Sequence, residues 1–191
     1  MNIKRMVLAI VVASIIAYAG FHYASLIHLK EGVGISDIKS PPDFGPFFPV
    51  TEHISASNRV TVLFIGAEAC TFWDAESWVI YYALLHYGSW SSVQFVHSYN
   101  GDVFPGTLGI NLMNATYSST TIVFHGIEMY NETWHAITEL NASTKALLNR
   151  YDPQDSIPFI LINGEYLEVG SSYSPSYIPN MTTNEVNERP G

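Results

Sequence analysis

Cysteine is nearly absent: Cys70 is the only one in 191 residues. A lone thiol excludes an internal disulfide, so any folded domain here must stand on its hydrophobic core. Charge is also scarce. Only 13% of residues are Asp, Glu, Lys or Arg, and the balance is −9. Beyond residue 30 the deficit is in basic groups. All 17 acidic residues lie there with five basic ones (Lys39, Arg59, Lys145, Arg150, Arg189), a net of −12. Such a surface repels a phosphate backbone, and no basic patch with interleaved aromatics exists, so nucleic-acid binding is excluded as an expectation. The acidity is otherwise accounted for by solubility, in particular in an acidic medium.

An N-terminal gap in charge covers Met6 to Ile27, where no Lys, Arg, Asp or Glu occurs. Those 22 residues would extend about 33 Å as a helix, enough for a hydrocarbon core. Lys4 and Arg5 precede the gap, which orients the bulk of the chain outward. Residues 1–28 are therefore expected to be a cytosolic N-terminus and a single transmembrane helix. The rival is a cleaved signal peptide, with Ala17-Tyr18-Ala19 as a small-x-small site. Both readings put the remainder outside the cytoplasm. Four sequons lie on that side, at Asn114, Asn131, Asn141 and Asn180, and are candidate glycosylation sites.

Residues 29–58 are rich in Gly and Pro and show no period, which predicts a linker packing on the domain through Phe47 and Phe48. From Arg59 the pattern becomes regular. "RVTVLFI" (59–65) predicts a strand buried on both faces. Residues 70–86 predict a helix, with Phe72, Ala75, Val79 and Ala83 on one stripe and Trp73, Ile80, Leu84 and Tyr87 beside it, ending at a Gly88 cap. Strands follow at 92–98 and 119–127, separated by an irregular loop over 99–117. A helix over 141–151, capped by Asn141 or Ser143, precedes a strand at 156–162 and an Asn163-Gly164 hairpin turn. The folded domain is expected over 59–175 and a polar tail over 176–191. This is an α/β layout with a parallel strand pair bridged by a helix.

A strand, a turn bearing Cys70 and a helix, followed some way on by Ser156-Ile157-Pro158 before a hairpin, resembles the thioredoxin fold. That family has C-x-x-C in the first turn and a cis proline beside it. The resemblance implies a mixed sheet and makes Pro158 the cis residue, with Ile157 and Pro158 as binding positions. More closely, "FIGAEACTFWDAESWVIYYALLHYG" with "SIPFILINGEY" is similar to DUF929, an archaeal membrane-anchored family whose members read F-x-G-A-x-x-C-P-x-C-A-x-E-R-W. Here Trp73 stands where the second cysteine belongs, and Thr71 where proline does. The terminal helix that normally covers one face of the sheet is short or absent.

Cys70 is the candidate catalytic residue. A thiol at a helix N-terminus meets the positive end of the dipole, which favours thiolate, while Glu68 opposes it. A mixed disulfide on Cys70 would have no internal thiol to resolve it. The competing reading is a small buried residue without chemistry. Asp74 and Glu76 read as charges complementing the helix dipole on a solvated face. The seven histidines show no H-x-H or H-x-x-x-H spacing, so no metal is expected. No nucleotide fingerprint or G-x-S-x-G elbow occurs, and no cofactor is expected. The expected function is a non-catalytic binding or accessory subunit whose partner is another membrane or envelope protein, met either by the surface of Cys70, Trp73, Ile157 and Pro158 or by the irregular 99–117 loop. The alternative is a monothiol disulfide-exchange protein.

Overall fold

The computed structural model describes residues 47–52, 58–154 and 156–178, with isolated positions 4, 12, 14 and 15. The expected membrane segment apart from positions 12, 14 and 15, the rest of the linker, the tail from 179 and the Asn180 sequon lie outside the described residues. Among the described residues no helix is long and apolar enough to cross a membrane.

A five-stranded mixed sheet is built from β1 (Phe48–Pro49), β2 (Val60–Ala67), β7 (Ile122–Tyr130), β8 (Phe159–Ile162) and β9 (Tyr166–Val169), in the order β1-β9-β8-β2-β7. β2 runs parallel to β7 and antiparallel to β8, and β8 antiparallel to β9. The eight residues of β2 lie between β8 and β7, and all but Leu63 are buried. A parallel pair needs a long crossover. It is supplied by α1 (Thr71–Leu85) and an excursion containing β3 (Ser89–Ser91), β4 (Gln94–His97), β5 (Leu108–Asn111) and β6 (Thr116–Ser118). α2 (Ala142–Tyr151) precedes β8. A 3-10 turn, Pro175–Tyr177, ends the described chain.

Alternation along the strands divides the core. Val60, Val62, Phe64, Ile160 and Ile162 face α1 with Trp73, Ile80 and Leu84, and Val12 and Ile15 are buried in the same cluster. Ser14 Oγ lies 3.0 Å from Tyr87 Oη. On the opposite face Ile65, Phe159, Leu161 and Leu167 meet Leu148 of α2. Asn141, rather than Ser143, caps α2, its side chain accepting from Thr144 N–H at 2.8 Å. α1 ends at Leu85 with His86 as its cap, one turn short of Gly88.

The 99–117 stretch is a correction. Leu108–Asn111 pairs with Gln94–His97, and Thr116–Ser118 pairs with Ser89–Ser91. Leu108, Ile110 and Leu112 are buried against α1, so this segment is part of the core. Its "LGINL" run is too short for a visible period, and its partner lies across a ten-residue loop rather than a two-residue hairpin turn. Phe48–Pro49, expected within a linker, joins the sheet edge on β9.

Candidate functional site

The site forms where β2 ends. Gly66 and Ala67 close the strand, Cys70 takes an extended conformation (φ −86°, ψ 119°) as the N-cap, and α1 begins. The Cys70 side chain makes no capping bond. Instead Asp102, brought in by the 99–107 loop, accepts from Thr71 N–H through Oδ2 at 3.0 Å. The same loop is tied to the turn by Tyr99 N–H donating to Ala69 O at 3.1 Å. Thr71 is fully buried, its hydroxyl bonded to Phe104 O (3.0 Å) and to Thr107 Oγ1 (2.5 Å). Asp102 was invisible to sequence reasoning because nothing local marks a cap 31 residues away.

Cys70 is 6% exposed. Its thiol donates to Ile157 O at 3.5 Å, and the Ile157–Pro158 peptide bond is cis. Burial pushes the Cys70 thiol up to about 12. The backbone N–H groups of Phe72 and Trp73 act in the other direction, and Asp102 and Asp74 add to the rise. The helix-end effect is therefore present, and desolvation outweighs it.

Trp73 does not line a surface. It is fully buried, stacked on Phe64 with ring centroids 5.5 Å apart, and its ring fills the space a side chain at Gly66 would need. Its indole N–H has no hydrogen-bond partner. Ile157 is half-buried and Pro158 buried. Of the sequons, Asn114 and Asn141 are exposed and Asn131 is half-buried, its Oδ1 accepting from Thr133 and His135.

The solvated-face reading of Asp74 and Glu76 is overturned, since both are fully buried. They do diverge as i, i+2 positions must. Asp74 points toward β5, against Gly109, with neither carboxyl oxygen hydrogen-bonded. Burial, then Glu68, Glu128 and Asp102, hold it well above the carboxylate range. Glu76 points toward β9. Its Oε2 accepts from Ser172 N–H at 2.7 Å, and Ser172 Oγ lies 3.0 Å from both Glu76 Oε1 and Glu168 Oε1. A hydroxyl has one proton to donate, so both short contacts are hydrogen bonds only when one of the two carboxyls is itself protonated. Burial pushes Glu76 up to about 8, and burial with the Glu76 charge raises Glu168 strongly. Nothing in the local sequence marked these acids as interior. The signal was the apolar pattern of both flanks of α1, which leaves it no wet face.

A groove of about 500 Å³ adjoins the Ile157–Pro158 turn, walled by Met129, Tyr130, Trp134, Leu140, Leu148 and Ile157. Trp134 is 40% exposed at its rim. Among the described residues no group of three or more His, Cys, Asp or Glu is placed to hold a metal ion.

These features define a mixed α/β domain with one buried thiol at a helix start, set against a proline turn. Residues 48–148 match the family model of a domain of unknown function, DUF929. That match spans more than half of the chain, which belongs to this family. No curated protein and no solved structure matches it.

Proposed function

We propose that this chain is a membrane-anchored, extracytoplasmic protein of thioredoxin-like fold that binds a partner and does not exchange disulfides. The strand order β9-β8-β2-β7, with Cys70 starting the helix after β2 and Pro158 opening β8, supports the thioredoxin-like reading. The uncharged segment from Met6 to Ile27 supports the anchor, and the exposed Asn114 and Asn141 support glycosylation outside the cytoplasm. The partner is another membrane or envelope protein.

The observation that carries the binding reading is the burial of the sulfur with Trp73 in the place of a second thiol. A thiol held near 12 is essentially unionised at neutral pH. Alkylation of the full chain by iodoacetamide at pH 7 is expected to run roughly a thousandfold slower than that of a free thiol, becoming ordinary on denaturation. Fast alkylation of the native chain refutes this reading. It would favour a monothiol exchange protein in which Cys70 attacks and the Ile157–Pro158 turn positions the substrate, for which the 3.5 Å contact of Sγ with Ile157 O is the supporting observation.

A further inference from the structure

The carboxyl ends of the parallel strands gather several acids. Glu68, leaving β2, and Glu128, near the end of β7, meet there. Glu68 N–H donates to Glu128 Oε1 at 3.2 Å, and Glu68 Oε1 accepts from Asn111 Nδ2. Exposed Glu132 is close enough for its charge to act on both. Behind them stands Asp74, fully buried, with both carboxyl oxygens unpartnered and with Glu68, Glu128 and Asp102 as its electrostatic neighbours. Among the described residues, the charges that raise Glu68, Asp74 and Glu128 are those of other carboxyls. Like charges at a half-buried spot repel, and an unpartnered buried carboxyl is costly, unless opposite charge joins them. The acids do not converge as metal ligands. An organic cation therefore fits the deficit better than an inorganic one.

The adjoining groove says what else that cation carries. The Tyr130 and Trp134 rings lie 5.8 Å apart and tilted, and Trp134 is held at φ 61° where its N–H donates to Asn131 O at 3.0 Å. An exposed indole in the left-handed region, two residues beyond Glu132 and packed on Tyr130, which follows Glu128 by two on β7, offers a face to a cation and to an aliphatic stem. The groove's own cation, Lys145, is paired with Glu139 at 3.2 Å.

We propose that this end of the sheet docks an arginine-bearing segment of a partner protein, its guanidinium among Glu68, Glu128 and Glu132 and its apolar neighbours along Tyr130 and Trp134. The inference rests on the binding reading above and supplies the chemistry of the partner. A guanidinium satisfies two carboxylates with a planar fork, which an ammonium does not.

The probe is a fluorescein-labelled Val-Arg-Leu-Arg-Val peptide, with Val-Glu-Leu-Glu-Val as its counterpart, titrated against the full chain in mild detergent by anisotropy. The arginine peptide is expected to bind and the glutamate peptide not to. Glu68→Gln and Glu128→Gln are each expected to weaken binding about tenfold, and Trp134→Ala by a similar factor. Glu165→Gln, an acid on the distant β8–β9 turn, is expected to leave it unchanged. If a carboxyl variant does not fold, exposed Glu132→Gln and Trp134→Ala carry the same comparison. Equal loss in the Glu165 variant, indifference to the site variants, or no binding overturns the proposal. Thiol reactivity decides the earlier reading separately, so an inert Cys70 without charge-selective binding refutes this inference alone.

Discussion

The buried pair Glu76 and Glu168 makes stability depend on pH in a direction opposite to that of most proteins. Carboxylates usually enter a fold paired with cations, their pKa falls, and acid unfolds the protein. Here Glu76 rises from 4.5 to about 8 and Glu168 rises with it, because burial penalises the charged forms and Ser172 alone bridges them. The native state therefore holds protons that the unfolded chain releases. The contribution is fully present below pH 4.5 and is lost as pH rises toward 8. Each such proton gives a slope of about −1.4 kcal/mol per pH unit inside that window. For Glu76 the integrated loss is roughly 3–5 kcal/mol by pH 8. Glu128, pushed up to about 7 by burial and by Glu68, acts in the same direction over a narrower window. Urea unfolding of the full chain, followed by the fluorescence of buried Trp73 and Trp78, should give free energies that fall from pH 5 to pH 8. Glu76→Gln keeps an acceptor for Ser172 N–H and removes one titration. It should match the wild type near pH 4.5 and exceed it progressively above. Stability that is flat or rises across this range would refute the reasoning, as would a Gln variant whose profile parallels the wild type.

The Trp73 ring is the largest fully buried side chain, so Trp73→Ala should cost about 3–5 kcal/mol in urea unfolding. Gly66→Ala places a methyl in that ring and should cost about 1–3 kcal/mol. The loss should shrink in a Trp73→Leu background, and additivity of the two changes would show that they do not meet. Asn141→Ala should lower stability by about 1 kcal/mol through loss of the α2 cap, while Asn141→Asp, which keeps the acceptor, should leave it nearly unchanged in thermal melts.

Much of the scaffold was legible. The apolar run at 59–65 became a strand paired on both sides, the dense apolar pattern from Cys70 became α1, and Asn141 and Asn163-Gly164 marked a cap and a turn where they stand. These signals are local: a period, a cap or a turn residue constrains the few residues around it. What was not legible is non-local. β5 is a strand only because β4 lies beside it and α1 beneath it. Asp102 caps α1 from across a loop, and Glu68, Asp74 and Glu128 gather from three elements.

The sequence alone determined that this chain has one thiol, an acidic composition, an uncharged N-terminal segment and an α/β order of elements, since composition and short-range pattern are properties of the chain itself. Only the tertiary structure decided that the thiol is buried and that acids placed as if for water are interior. A side chain's solvent is set by what packs over it, and desolvation there exceeds the pull of the helix end.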